Sequence, residues 1–370
     1  KGSDLAILGS SGSGKTTLIS ILNGTFTPTT GHVYINGIDL HQNIDKLKGM
    51  IGYVSQDDLL IEELTVFENL YFNAKLCLAG KSKTSIIRRV IEVLTELGLY
   101  DIKDMRVGSV LDRRISGGQR KRLNIALELI RETPILFLDE PTSGLSSRDS
   151  ENILDLLKTL TIDGKLVFVV IHQPSSYIFK MFDRLLVLDQ GGYLIYNGKP
   201  IEAILYFKSA VREADWRDTV CPTCDNVNPE QIFNIIETRL LNEYGLQTQS
   251  RKFSPEDWYE KYSRFEETTS KKKSYLVRKL PDIEFKVPSK IKQFFEFVKR
   301  DYLSKSSNIQ YITINLLEAP LMALILSFII KYWSFEKTGK YPFFNNENVT
   351  IYIFMSVIIA IFVGLTVSAE

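Results

Sequence analysis

Gly9-Ser10-Ser11-Gly12-Ser13-Gly14-Lys15-Thr16 decides the fold of this chain, because it spells GxxxxGK[ST] in full directly after the apolar run Leu5–Leu8. A strand that ends in such a loop and passes into a helix is a phosphate-binding arrangement. The glycines let backbone N–H groups turn toward phosphate oxygens, and the helix N-terminus adds a favourable dipole. Lys15 is placed to reach the β- and γ-phosphates, the Thr16 hydroxyl to ligate Mg²⁺, and Thr17 continues the helix start. Residues 1–200 alternate such apolar runs with helical patterns, which predicts an α/β unit with a largely parallel sheet. Ile135–Leu138 and Leu166–Ile171 are further strands of this kind. Helices are expected over Thr16–Leu22, Lys83–Leu97, Gln119–Arg131 and Asp149–Leu160, the last with Ile153, Leu156, Leu157 and Leu160 at helical spacing. Leu185–Leu188, Gly191-Gly192 and Tyr193–Tyr196 read as a terminal β-hairpin around a glycine turn.

Three more segments complete the chemistry. Ile135–Leu138 runs into Asp139-Glu140, so an apolar strand ends in two carboxylates. Asp139 is suited to Mg²⁺, and Glu140 to polarising the attacking water. Taken alone this is a common strand end; its weight comes from pairing with the loop at 9–16. Ser116-Gly117-Gly118-Gln119 opens a helix followed by Arg120, Lys121 and Arg122, a second anion-binding helix start. Isolated, it is any Ser/Gly turn. Two further polar residues follow strand-like runs: Gln56, in Tyr53-Val54-Ser55-Gln56, and His172, in Ile171-His172-Gln173-Pro174-Ser175; a histidine met alone is more often structural.

With all of these in order, the sequence resembles the ATP-binding cassette (ABC) proteins. That resemblance implies an α/β P-loop nucleotide-binding domain followed by an α-helical transmembrane domain. It implies ATP and Mg²⁺ as ligands: Gly9 to Thr17 and Ser116 to Gln119 on the nucleotide, Thr16, Gln56 and Asp139 on the metal, and Glu140, His172 and Gln56 in catalysis. Ile115–Arg122 (ISGGQRKR) and the segment around His172 are most similar to the G-type half-transporters, the white and multidrug group, and Asn228–Phe233 resembles their NPADF segment. The family works as dimers, so a second half-transporter is implied, as a homodimer or a heterodimer. Four departures stand out. The adenine-stacking aromatic of the family lies upstream of Lys1; Ser146 occupies the place of the aspartate in the loop at Ser143–Ser146; Gln119 replaces the commoner Glu; and two spans are visible where the family has six.

The remainder of the chain fits that reading. At 370 residues it is long enough for two or more units, and its formal charge of +1 offers no argument for a nucleic-acid partner. Of its three cysteines, Cys221 and Cys224 form a lone CxxC with no second ligand pair, which reads as ordinary thiols. Residues 201–288 form an accessory or linking region with helices expected at Ile201–Phe207 and Gln231–Leu241, then a basic stretch from Lys271. Residues 289–306 mix Ile291, Phe294, Phe295, Phe297 and Val298 with Lys290, Lys292, Lys299 and Arg300, the composition of an amphipathic helix on a membrane surface; a helix packed on a protein partner would look similar.

From 309 the start of a transmembrane domain is expected, with spans at about 309–333 and 349–369. Val349–Ala369 is uncharged and long enough to cross roughly 30 Å of hydrocarbon at about 1.5 Å per residue. The first span carries Glu318 and Pro320, with Tyr332 and Trp333 at its interfacial end. An intramembrane carboxylate costs on the order of 3 kcal/mol, so Glu318 is expected against a neighbouring helix or a polar cavity, unless it is protonated or snorkels. Eleven Lys and Arg between 271 and 305 place the region before Ile309 in the cytosol. The chain thus reads as an integral membrane ATPase in contact with lipid, coupled to an unidentified substrate, and as a fragment cut at both ends. The competing readings are a soluble ABC-type ATPase of a nucleic-acid or translation process and a regulator that does not hydrolyse ATP. The spans oppose the first, and intact Lys15, Asp139, Glu140 and His172 oppose the second.

Overall fold

The computed structural model describes residues 2–109, 112–172, 174–211, 227–244, 246–269, 285–330 and 346–369. Cys221, Cys224, the basic run at Lys271, Gln173, Tyr332 and Trp333 lie outside them. The described chain divides into two units, Lys1–Glu296 and Phe297–Glu370.

The first unit is built on β1 (Ser3–Gly9), whose apolar run is flanked on both sides by parallel neighbours. α1 (Lys15–Leu22) follows it, then a small hairpin of β2 (Tyr34–Ile35) and β3 (Ile38–Asp39), and β4 (Ile51–Val54). Helices α2 (Val66–Cys77), α3 (Lys83–Glu96) and α4 (Gly117–Leu129) precede β5 (Ile135–Asp139). α5 (Ser147–Ile162), β6 (Leu166–Val170), the short α6 (Ser176–Met181), β7 (Arg184–Leu188) and β8 (Leu194–Gly198) complete the main sheet. Its order is β4-β5-β6-β1-β7-β8, with only the β7–β8 pair antiparallel.

Strand alternation sorts the core into two layers. Ala6, Leu8, Leu136, Leu138, Val167 and Val169 face the larger cluster with α2 to α5, whereas Ile7, Phe137, Val170 and Leu188 close over Ile19 of α1. The near-continuous apolar runs of β1, β5 and β6 follow from this burial on both faces. α5 starts where the Ser146 hydroxyl accepts the Asp149 N–H, and it buries Ile153, Leu154, Leu157 and Leu160. The predicted helices at 16–22, 83–97, 119–131 and 149–160 are all present within two residues at either end.

One polar cluster ties three elements of the sheet layer. Asp4 on β1 is 3% exposed, and its carboxylate accepts from Lys158 Nζ of α5 at 2.9 Å and from the Asp183 amide at 2.6 Å. Lys158 also reaches Asp183 Oδ1 at 2.9 Å. Burial pushes the Asp4 carboxyl above its usual range, so the charge depends on these donors. Lys158→Met is therefore expected to lower stability by about 2 kcal/mol, less than the roughly 3–5 kcal/mol for a fully buried pair because Lys158 keeps some water contact. Thermal denaturation of the intact protein reads this; an unchanged midpoint would mean that the Asp183 amide alone satisfies Asp4.

After β8 come α7 (Pro200–Ala210), α8 (Glu230–Ile236), an antiparallel hairpin of β9 (Arg239–Leu241) and β10 (Gln247–Arg251), and α9 (Pro255–Thr269). The helix expected over Gln231–Leu241 stops at Ile236, and Arg239 to Leu241 form a strand instead. Ile232, Ile235 and Ile236 are buried, so the apolar spacing is met by two turns, after which the chain pairs with β10. α9 covers β8 with an aromatic cluster: Trp258 is fully buried, and Tyr262 and Phe265 approach Tyr206.

α10 (Lys290–Ser307) crosses the division between the units. Within the first unit its Glu296 accepts from Lys75 of α2 at 2.6 Å, while Ile291, Phe294 and Phe295 are exposed. In the second unit α11 (Ile309–Ile329) and α12 (Asn348–Ala369) are each long and apolar enough to cross a membrane. Leu316, Leu317, Leu321, Leu324, Phe328, Ile353, Phe354, Ile361 and Phe362 are exposed, which a core helix of a water-soluble protein would not show. Glu318 is half-buried on α11.

Candidate nucleotide site

The strand order places the chemistry. In a parallel sheet, ligands bind outside the carboxyl ends of the strands. β1 ends at the P-loop, β5 at Asp139-Glu140, β6 two residues before His172 and β4 two residues before Gln56. These four are consecutive in the order β4-β5-β6-β1, so segments as far apart in the chain as Gly9 and His172 meet on one edge.

In the P-loop, Gly12 and Gly14 have φ of 77° and 87°, and Gly14 caps α1 in the left-handed conformation. A Cβ on Gly9 would lie 2.6 Å from the Leu188 carbonyl oxygen, so this position admits only glycine. Lys15 is buried, and its ammonium donates to the Gly9 and Ser10 carbonyls at 3.0 and 2.8 Å. Burial lowers its pKa, and the nearby Glu140 and Asp139 carboxylates oppose that shift. The hydroxyls of Ser10 and Ser13 are buried without partners.

Asp139 is 4% exposed, and its Oδ1 also lacks a partner. Burial raises its pKa, and a hydrogen bond from Thr16 opposes the rise. A buried carboxylate with an orphaned oxygen beside a hydroxyl is a donor set that fits a hard divalent cation. Glu140 turns away in a left-handed conformation, φ 48°, which is strained for a residue with a side chain. Its Oε1 lies 2.8 Å from His172 Nε2. The strand thus ends in two carboxylates of different surroundings, one directed at the P-loop and one at the histidine.

Ser116, Gly117, Gly118 and Gln119 form the start of α4. The Ser116 hydroxyl accepts the Gln119 N–H at 3.2 Å, and Gln119 Oε1 accepts the Ser116 N–H at 2.8 Å. This reciprocal cap explains how Gln stands in for Glu at position 119, since either supplies the acceptor oxygen. Ser116 is exposed and shares no hydrogen bond with the P-loop. A Cβ on Gly118 would meet Asp149 Oδ1 at 2.9 Å, and one on Gly117 would meet Leu145 at 3.2 Å. The Ser146 loop therefore packs against the α4 start, and Ser146 itself caps α5.

Gln56 is exposed, and its side chain takes part in none of the hydrogen bonds among the described residues. Its backbone carbonyl accepts from Lys121 of α4. Next to it Arg120 grips Asp58 through two nitrogens, at 2.9 and 3.2 Å, and donates to the Gly108 carbonyl. Sequence reading had no signal for this tether: Arg120 stands in the ISGGQRKR segment, but Asp58 lies 62 positions away and outside any motif.

A P-loop, an acidic strand end, a histidine against the second carboxylate and a glycine-rich helix start define an ATP-binding cassette nucleotide domain. Residues 1–143 match the ABC transporter family. The chain is 43% identical over 208 residues to the rat broad substrate specificity ATP-binding cassette transporter ABCG2, covering 55% of this chain and 31% of that protein. It is 42% identical over 210 residues to Arabidopsis thaliana ABC transporter G family member 28 (55% and 18% covered), and 38% identical over 265 residues to G family member 22 of the same plant (69% and 34%). Its fold is similar to that of cbiO1 from Clostridium perfringens, part of the ABC transporter complex cbiONQ, with a TM-score of 0.50, 29% identity, and 59% and 85% of the two chains covered. The nucleotide-binding region is thus an ABC transporter ATP-binding domain, and the chain is a relative of the G family of ABC transporters. It spans 18% to 34% of the length of the curated relatives it matches.

Proposed function

We propose that this chain is the ATP-hydrolysing and membrane-entry part of a G-type half-transporter, which pairs with a second half-transporter and moves a substrate across a membrane. The observation that carries the reading is the shared sheet edge where the P-loop, Asp139, Glu140 and His172 converge, with Glu140 Oε1 2.8 Å from His172 Nε2. ATP would lie along the P-loop amides, and Lys15 would exchange its Gly9 and Ser10 carbonyls for β- and γ-phosphate oxygens. Mg²⁺, held by Thr16 and Asp139 with Gln56 nearby, would neutralise phosphate charge. Glu140 would take the proton of the attacking water, and His172, whose Nε2 faces that carboxylate, would turn its N–H to the γ-phosphate when ATP binds. The exposed Ser116 helix start would complete the site of the partner.

The membrane assignment rests on the two exposed apolar helices and on the G-family relatives, with residues 1–200 as the nucleotide domain, 201–288 accessory, 289–306 on the cytosolic surface and the spans at about 309–333 and 349–369. Lipid contact follows from the exposed faces of α11 and α12. Nothing in the chain's charge or site favours a nucleic-acid partner.

The test uses the full-length protein in lipid. It should stay with membranes through alkaline carbonate extraction and hydrolyse Mg²⁺-ATP, and Lys15→Ala should abolish nucleotide binding. Release of the protein by carbonate would overturn the membrane reading. Undiminished ATP binding in Lys15→Ala would overturn the site assignment.

A further inference from the structure

The nucleotide site has a second support outside the motifs, on the turn that joins β7 to β8. β7 pairs with β1 so that Leu188 sits opposite Gly9, and the next five residues, Asp189 to Tyr193, pass beside the P-loop. Gly191 and Gly192 both have φ of 83° and fold the turn tightly. The Gly192 Cα lies 3.8 Å from where a Cβ on Gly14 would be, so the turn runs alongside the glycine that caps α1, about a methyl group away from it. At the head of the turn a Cβ on Gly9 would lie 2.6 Å from the Leu188 carbonyl oxygen, so whatever fixes the turn bears on one wall of the phosphate loop.

Both ends of the turn are gripped by the accessory region. At the first end Asp189 is 2% exposed, and its Oδ1 accepts from Arg251 Nη1 of β10 at 2.8 Å and from the Gln190 amide at 2.7 Å. Its Oδ2 is buried with no partner, so Arg251 supplies the compensating charge. Arg251 is itself largely shielded, at 18% exposure, and Glu237 lies 3.8 Å from its other nitrogen. At the second end Tyr193 meets α9: the Glu256 carboxylate near its hydroxyl raises the phenol pKa, and the Tyr193 and Tyr259 rings lie 5.8 Å apart. Two separate elements thus clasp one five-residue turn. A buried charge pair at one end and a tyrosine packed on α9 at the other hold it more firmly than backbone pairing alone would.

We propose that Arg251, with Glu256, is a positioning residue for nucleotide binding: through Asp189 and Tyr193 the accessory region holds the 189–193 turn against Gly14 and keeps the P-loop amides in their phosphate-binding arrangement. The accessory region is then part of the nucleotide site's framework as well as a connection toward the membrane. The inference rests on the reading of residues 9–16 as an ATP site.

Loss of Arg251 leaves a buried carboxylate without its cation, and the turn relaxes to reach water. Preorganisation of the P-loop falls, so affinity for ATP weakens while the Glu140–His172 pair stays in place. In the full-length protein in nanodiscs, Arg251→Gln is expected to raise KM for ATP, and Kd for a fluorescent ATP analogue, by about 5–30-fold, with kcat changed much less. Arg251→Lys should recover part of the loss, since an ammonium keeps the charge without the fork geometry. The double variant Asp189→Asn with Arg251→Gln should bind ATP more tightly than Arg251→Gln alone, because no unpaired charge remains buried. Tyr193→Phe, which removes one hydroxyl and nothing else, provides a mild variant that keeps the test usable should Arg251→Gln fail to fold, and a rise of about 2–3-fold in KM is expected from it.

A lowered melting temperature in Arg251→Gln and Tyr193→Phe with unchanged KM and Kd would overturn the proposal, leaving only a structural clasp. Lys15→Ala in the same preparation separates the two levels. If Lys15→Ala still binds ATP, the nucleotide site itself is misassigned. If it does not, while Arg251→Gln and Tyr193→Phe bind ATP normally, the positioning role alone fails.

Discussion

Glu140→Gln in the full-length protein is expected to keep ATP binding and to lower hydrolysis by about 10²–10⁴-fold, the range set by losing a positioned general base. The amide has the shape of the carboxylate, and its Oε1 can still accept from His172 Nε2, so the 2.8 Å contact and the local fold survive. What it cannot do is take a proton from water. The left-handed backbone at residue 140, φ 48°, is unchanged by the substitution, so any stability difference should be small. Asp139 keeps its place at the strand end, so metal and nucleotide are retained. Single-turnover hydrolysis measured beside ATP affinity gives the result. Near-normal turnover in the variant would show that another group serves as base.

The second large effect concerns the division of each site between two chains. Lys15→Ala and Ser116→Arg are each expected to be inactive alone, the first through loss of the phosphate contact and the second by blocking an exposed helix start. In a head-to-tail pair formed from one of each, one site carries both defects and the other carries neither. Co-assembly should therefore restore ATPase activity. If each chain completed its own site, every site in the mixture would still hold one defect and no activity would return. The motivation is that Ser116 offers anion-binding amides at the start of α4, yet it is exposed and shares no hydrogen bond with the P-loop of its own chain. Because Ser116 also accepts the Gln119 amide, the Arg variant loses a helix cap at about 1 kcal/mol, and its melting temperature has to be compared with the parent's. Absence of recovery, with mixed dimers shown to form, would count against shared sites. Where one site depends on signals from the other, the lone intact site is expected to run below the rate of a site in the parent dimer, and recovery well below half of normal still supports sharing.

The P-loop, the acidic strand end and the helix starts were legible because they are local. GxxxxGK[ST] after an apolar run, Asp139-Glu140 after another, and SGGQ before a helical pattern each put their chemistry within a few residues of a recognisable strand or helix. Apolar runs gave five of the six strands of the main sheet, the short β4 being missed, and apolar periodicity gave the helices at 83–97 and 149–160 for the same reason. It failed at Gln231–Leu241, where the apolar spacing is satisfied after two turns and the remaining residues pair with a strand that comes later in the chain.

What only the tertiary structure decided are relations that depend on strand order and on contacts between distant segments. Nothing local to Gln56, Glu140, His172 or Gly14 states that β4, β5, β6 and β1 lie side by side; parallel pairing across crossover helices does. The sorting of Glu140 toward His172 and of Asp139 toward the P-loop arises from one left-handed residue whose φ no spacing pattern reports. Arg120 meets Asp58 and Arg251 meets Asp189 across 62 positions each, and in the sequence all four are ordinary charged residues. Their importance comes from burial, which strips water from a charge and makes its partner indispensable, and burial is a property of the packed chain.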